Sequence, residues 1–113
     1  MVLFNFTKKL KITRFTLDVL MQRVINLKPA RRKADEAAKR LLDQSSESID
    51  ACERMHDSLR KRLFPVESLD GYAIASLGAD FDELDRKISE LVRQLSSLET
   101  EYENRREAAR TRR

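Results

Sequence analysis

The sequence predicts an all-α fold: an antiparallel two-helix coiled-coil hairpin with a short helical reversal at the tip and a kinked or broken N-terminal helix. The 113 residues include two Gly, two Pro and no Trp, and 37% of them are charged. That composition is typical of coiled coils and long helices. Apolar residues recur every three or four positions within residues 81–102 and, less regularly, within residues 42–66. Three of the four Gly and Pro residues lie within residues 65–78, from the end of the first segment to just before the second.

Each apolar segment forms one stripe along a helix, and such a stripe is stable in water only when another surface covers it. We expect the two stripes to cover each other, because helices over residues 30–64 and 80–111 would each be about 50 Å long. The predicted hairpin seam consists of Leu42, Ile49, Leu59, Leu63, Leu84, Ile88, Leu91, Leu95, Leu98 and Tyr102.

The first half of the chain is predicted to contain an arm and the first helix of the hairpin. Residues 1–13 form a basic N-terminal arm, and the hairpin occupies residues 14–113. The first helix spans about residues 14–64 and is interrupted near residue 29, because Pro29 either kinks a helix or occupies its first turn.

The second half is predicted to contain the reversal and the second helix. Pro65, Gly71 and Gly78 place the reversal at residues 65–79, with a short helical turn inside it. The second helix covers residues 80–111 and begins with a capping-box-like pair of acidic residues.

The first stripe is weaker than the second, because it includes Ser45, Cys52 and His56. Two helices alone would therefore be marginally stable, and a second copy of the chain could cover the seam instead. Heptad patterns of this kind do not fix the number of strands. The sequence is thus compatible with a monomeric hairpin or a homodimer.

The candidate catalytic groups favour a protein that is not an enzyme. His56 lies near Glu53 and Asp57, but a helical seam offers no cleft and no oxyanion donors, so His56 is interpreted as a partly buried seam residue. Cys52 is interpreted as a small apolar seam residue. The sequence contains no Gly-rich phosphate loop. We expect no catalytic residue, no metal site and no cofactor.

The cellular compartment is predicted from cysteine use and hydropathy. A single cysteine cannot form an intrachain disulfide, which favours the reducing cytoplasm. No stretch approaches the roughly 20 apolar residues of a transmembrane helix. Residues 1–17 carry four basic residues and no acidic one, which a mitochondrial presequence would also show. The same basic amphipathic start could lie on an anionic membrane surface or dock on a protein.

Charge is unevenly distributed along the chain. Residues 1–40 have a net charge of +8, residues 41–100 a net charge of −6, and residues 101–113 a net charge of +2. An antiparallel hairpin would bring the two basic segments together at its open end and leave the tip acidic. Three aromatic residues, of types that often anchor protein interfaces, are predicted to be exposed at the tip: Phe64, Tyr72 and Phe81.

Two other functions are compatible with this charge pattern. The basic stretch KPARRKADEAAKR at residues 28–40 could bind nucleic acid phosphates, although no aromatic residues interleave with it for base stacking. Alternatively, the chain could be a structural subunit of a larger complex, with or without membrane attachment, and residues 1–27 would be its anchor.

Two segments carry a family resemblance. The stretch RFTLDVLMQRVINLK opens a long basic helix with Phe15, Leu17 and Leu20, and FDELDRKISELVRQLSSLETEYENRREAARTRR closes the chain after an interruption near residue 64. In these features the chain resembles the flagellar FliJ and type III secretion SctO (YscO) family of export-ATPase stalk proteins.

The resemblance implies a rod similar to the central stalk of rotary ATP synthases. Its open end, with both termini, would insert into a hexameric export ATPase, and its tip would meet the export gate. The rod would act mechanically, with no chemistry of its own. The residues that would face the acidic collar of the ATPase are Lys28, Arg31, Arg32, Arg105, Arg106 and Arg110.

Overall fold

Three helices make up the computed structural model, which describes residues 2–27, 36–64 and 69–111. They are α1 (Val2–Leu27), α2 (Glu36–Leu63) and α3 (Gly71–Thr111). No strand occurs in these three ranges, so the all-α prediction is confirmed. The molecule is a rod with dimensions of 65 × 21 × 17 Å.

The second and third helices form the antiparallel hairpin. At one end, Arg62 of α2 forms an ion pair with Asp80 of α3. About four helical turns further along, the Ser45 hydroxyl lies 3.5 Å from the side-chain oxygen of Gln94. From the first of these contacts to the second, residue numbers decrease along α2 and increase along α3. The two helices are therefore antiparallel.

The stripes of α2 and α3 face each other along this hairpin. Nine of the ten residues assigned to the seam from the sequence are at most 8% exposed, and the tenth, Ile88, is half-buried against them. Ser45 and His56 are buried in the same layer. The Ser45 hydroxyl donates to the Leu41 carbonyl at 2.8 Å, which satisfies one polar group without breaking the helix.

The first helix folds back onto the hairpin. Lys9 lies 3.7 Å from Asp85, and Arg23 pairs with Glu99, so α1 runs parallel to α3. The imidazole of His56 lies 2.9 Å from the Leu10 carbonyl, which places α1 antiparallel to α2. The protein is therefore an up-down-up three-helix bundle.

This arrangement corrects the prediction of one interrupted helix over residues 14–64. The chain reverses direction between Leu27 and Glu36, and residues 28–35, including Pro29, lie outside the described residues. The physical reason is the apolar stripe of α1, which is removed from water by the hairpin: Leu17, Leu20 and Val24 are at most 1% exposed.

The predicted basic arm at residues 1–13 is also corrected, because α1 begins at Val2. Phe6, Leu10 and Thr13 are buried and continue the apolar stripe of α1 toward the N-terminus. The ring of Phe6 stacks on Phe81 of α3, with ring centroids 4.9 Å apart. Burial of these side chains holds the first turns of α1 against the bundle.

The predicted reversal at residues 65–79 is longer than the observed one. Helix α3 begins at Gly71, where the Asp70 carboxylate accepts a hydrogen bond from the Ala73 amide at 2.7 Å, and it continues through Gly78. These additional turns are stabilised because Leu77, which is 1% exposed, packs in the core. Residues 65–68 lie outside the described residues.

None of the helices in the described part of the chain is both long enough and apolar enough to cross a bilayer.

Candidate functional site

The tip, the end of the rod where α2 ends and α3 begins, exposes two aromatic side chains. Phe64 is 51% exposed and Tyr72 is 85% exposed. The prediction that Phe81 is also exposed at the tip is wrong, because this side chain is only 1% exposed. The reason is α1, whose Phe6 ring covers Phe81; the sequence interpretation had assigned Phe6 to the N-terminal arm at residues 1–13.

A shallow depression lies beside Tyr72. Its volume is about 320 Å³, and its lining comprises Arg62, Leu69, Tyr72, Ala73, Ser76 and Leu77. Arg62 is held on its wall by Asp80 and by the Ser76 hydroxyl, which accepts from Nη2 at 3.0 Å. The depression and the exposed ring of Tyr72 together form a surface that is apolar in part and supported by helices on two sides.

The opposite end of the rod carries the C-terminal turns of α3. Because Arg23 pairs with Glu99, Leu27 at the end of α1 is level with residue 103 of α3. Helix α3 continues to Thr111, about two turns beyond that level. Arg106 is exposed on this segment and forms no ion pair with any described residue.

The other five residues assigned to the basic open end have side chains outside the described part of the chain. Lys28, Arg31 and Arg32 lie outside the described residues. Arg105 and Arg110 belong to α3, but their side chains are likewise outside the described part. Within this predicted set, Arg106 is therefore the residue whose side-chain exposure the structure describes.

The expected meeting of residues 1–40 with residues 101–113 is corrected in part. Phe6 contacts Phe81 and Lys9 contacts Asp85, so the first turns of α1 lie toward the tip. Their positive charge consequently lies near the acidic residues of α3 rather than beside Arg106. The cause is again the reversal of the chain between α1 and α2.

His56 and Cys52 lie inside the bundle. His56 is 5% exposed, and its Nε2–H donates to the Leu10 carbonyl, so the imidazole connects α2 to α1. Its Nδ1 has no hydrogen-bond partner among the described residues and is 3.9 Å from Asp57. Burial raises the pKa of the Cys52 thiol above its ordinary value, and this outweighs the opposing effect of the Lys87 charge. Within the described residues, no cluster of three His, Cys, Asp or Glu side chains could hold a metal ion.

One exposed apolar surface was missed by the sequence interpretation. Ile12, Phe15 and Val19 are 55%, 70% and 42% exposed on the face of α1 that points away from the bundle. Phe15 had been grouped with Leu17 and Leu20 in one amphipathic run. A second set of positions with three-four spacing runs along α1 through Ile12, Phe15 and Val19. This spacing could have shown that Phe15 lies on a different face from Leu17 and Leu20.

Comparison of the chain with protein-family models, with curated proteins and with solved structures found no match.

Proposed function

We propose that this chain is a non-enzymatic helical adaptor that binds a protein partner at the tip of its rod. The observation that carries the proposal is the exposure of Tyr72 and Phe64 next to the apolar depression at that end. Tyr side chains supply large contact areas with little loss of conformational entropy, and they are enriched among residues that dominate binding energy.

Side-chain contacts hold the backbone at the tip in place. The Asp70 carboxylate, two residues before Tyr72, caps the first turn of α3. The Arg62–Asp80 ion pair joins α2 to α3 about two turns beyond Tyr72. A partner would therefore meet aromatic side chains on a pre-organised backbone, which reduces the entropy cost of binding.

A second contact is proposed at the other end of the rod. Arg106 lies on the turns of α3 that extend past α1, and it has no ion-pair partner among the described residues. An exposed guanidinium favours an acidic protein surface, where it can bind carboxylates in a bidentate manner. With contacts at both ends, the 65 Å rod would hold two partners apart.

The narrower form of this proposal is a stalk for a hexameric export ATPase of a type III secretion or flagellar system. The projecting end of α3, with Arg106, would enter the ring, and the tip would meet the export gate. The N-terminus would not insert beside it, because the first turns of α1 lie at the tip end. A purified candidate ATPase should then assemble into hexamers more readily with this chain than with its Arg106→Glu variant. Equal assembly with and without the chain would remove the stalk form and leave the adaptor proposal intact.

The adaptor proposal is tested by quantitative affinity capture from the native cells, followed by peptide identification. We expect the Tyr72→Ser and Phe64→Ser variants to lose one set of partners and Arg106→Glu to lose a different set. Val92→Ser is the matched control, because Val92 is also partly exposed but lies in the middle of α3. Identical partner sets for all four variants and the unmodified chain would contradict the proposal.

A further inference from the structure

The face of α1 that points away from the bundle carries a second stripe with coiled-coil spacing. Its members are separated by three and four positions in strict alternation, and every one of them is exposed: Asn5, Lys8, Ile12, Phe15, Val19, Gln22 and Asn26. The three central members are apolar, and the members at both ends are polar. We call this set the outer stripe.

The outer stripe is self-complementary about Phe15. Ile12 and Val19, both β-branched, lie on either side of Phe15 at nearly equal distances. Asn5 and Asn26 mark the two ends. An antiparallel copy of the same helix, centred on Phe15, would therefore place Ile12 opposite Val19, Lys8 opposite Gln22 and the terminal amides of Asn5 and Asn26 opposite each other.

Charges beside the stripe follow the same symmetry. Lys11 and Asp18 border it at similar distances before and after Phe15, and they have opposite signs. Lys11 is exposed and has no ion-pair partner among the described residues. Asp18 accepts from Arg14 through Oδ1 at 3.2 Å, which leaves Oδ2 available for a second cation.

Phe15 also lies at the midpoint of the rod. The pairs Lys9–Asp85 and Arg23–Glu99 fix the register of α1 on α3 and place Phe15 level with Leu91, the central residue of α3. A two-fold axis through Phe15 would thus let two antiparallel rods overlap along their whole length.

We propose that two copies of this chain associate through their outer stripes, antiparallel, with Phe15 on the two-fold axis. Ile12 packs near Val19 of the second copy, and Lys11 pairs with Asp18 of the second copy, twice by symmetry. A closed, isologous contact of this kind is the commonest form of homo-oligomer. The dimer uses the side of the rod, so it is independent of the adaptor function proposed for its ends.

A second copy fits the outer stripe better than a lipid surface does. An anionic membrane would favour basic residues along both borders of the stripe. Asp18 borders it as well as Lys11, and amides occupy both of its ends. Opposite charges at symmetry-related positions are the expected feature of a surface that binds its own copy.

Sedimentation equilibrium of the purified full chain tests the association. We expect the apparent mass to rise from the 13.2 kDa of one chain to twice that value with increasing concentration. Phe15→Lys should weaken dimerisation at least about tenfold. Tyr72→Lys, an equally drastic change at a more exposed aromatic residue, should leave it unchanged. Circular dichroism would establish that both variants remain helical.

A charge exchange tests the antiparallel orientation. Lys11→Glu alone places two carboxylates opposite each other and should weaken the dimer about fivefold, as should Asp18→Lys alone. The double variant should recover the affinity of the unmodified chain. In a Cys52→Ala background, Lys8→Cys chains should form disulfides with Gln22→Cys chains and not with one another.

Three results would overturn the proposal. One is a mass of 13.2 kDa at every concentration. Another is dimerisation that persists in Phe15→Lys or is not recovered in the double charge variant. The third is binding of the unmodified chain, but not of Phe15→Lys, to vesicles containing anionic lipid while the protein in solution stays monomeric.

Discussion

Arg23 and Glu99, 76 positions apart in the sequence, join α1 to α3 through a bidentate ion pair. Arg23 Nε donates to Glu99 Oε2 at 3.1 Å, Nη2 donates to Oε1, and Nη2 also reaches the Ser96 hydroxyl. The hydrogen bonds to Glu99 raise the pKa of Arg23 above its ordinary value, against the opposing effect of burial. This pair, with Lys9–Asp85, sets the parallel register of α1 on α3.

Arg23→Ala should lower the free energy of unfolding by about 0.5–1 kcal/mol, because the pair is partly exposed and solvent screens it. The measurement is urea unfolding of Arg23→Ala, Glu99→Ala and the double variant. The double-mutant cycle should return a coupling energy of similar size. Additive effects of the two single changes would mean that the pair contributes nothing to stability.

Leu95→Ala should lower the free energy of unfolding by about 2–5 kcal/mol, because Leu95 is fully buried and its truncation leaves a cavity in the bundle. The matched control is Val92→Ala, one turn away on α3 and 38% exposed, which should change stability by less than about 0.5–1 kcal/mol. Thermal and urea unfolding would compare the two. Similar losses for both variants would contradict the packing described for α3.

Gly78→Ala should raise the free energy of unfolding by about 0.5–1 kcal/mol. Gly78 lies within α3, and a methyl group added there would meet no atom of the other described residues within 4 Å, apart from its own helix and chain neighbours. Alanine restricts the unfolded chain and favours the helix at such a position. Ala79→Gly, the reverse change at the next exposed residue, should be destabilising by a similar amount. A loss of stability in Gly78→Ala would show that α3 is not continuous through this residue.

Cys52 should react slowly with iodoacetamide in the folded protein and rapidly in denaturant. The thiol is buried, and desolvation raises its pKa, so little thiolate is present at neutral pH. In the unfolded chain the thiol ionises near its ordinary pKa of about 8.5, whereas the folded protein keeps it protonated to higher pH.

This difference in pKa makes stability depend on pH. The contribution of the protonated thiol is fully present below the ordinary thiol pKa and is lost as the pH rises toward the pKa of the folded state. Urea midpoints should therefore fall more between neutral and alkaline pH for the unmodified chain than for Cys52→Ala. Parallel curves for the two proteins would exclude the predicted linkage.

The seam between α2 and α3 could be predicted from the sequence because the spacing of its apolar residues is compatible with only one buried helix face. Leu84, Leu91, Leu95 and Leu98 lie on one stripe of an otherwise polar helix, so only that stripe can enter the core. The position of Phe81 within the same spacing indicated burial as well. Its assignment to the exposed tip failed because the covering residue, Phe6, is 75 positions away in the sequence.

The placement of α1 could not be predicted for a physical reason. This helix carries two stripes with the same three-four spacing, one through Leu17 and Leu20 and one through Ile12 and Phe15. Periodicity alone does not say which stripe faces the hairpin, or whether α1 continues into α2. Only the tertiary contacts of Leu10 with His56 and of Arg23 with Glu99 decide this.

The parallel alignment of α1 and α3 determines how the bundle would respond to a pulling force. Val2 lies toward the tip and Thr111 at the opposite end, so tension applied between them is directed along the helix axes. All contacts between α1 and α3 would then be loaded in shear at the same time, rather than opened one after another as in a zipper. A rod connected in this way resists extension most strongly along its own length.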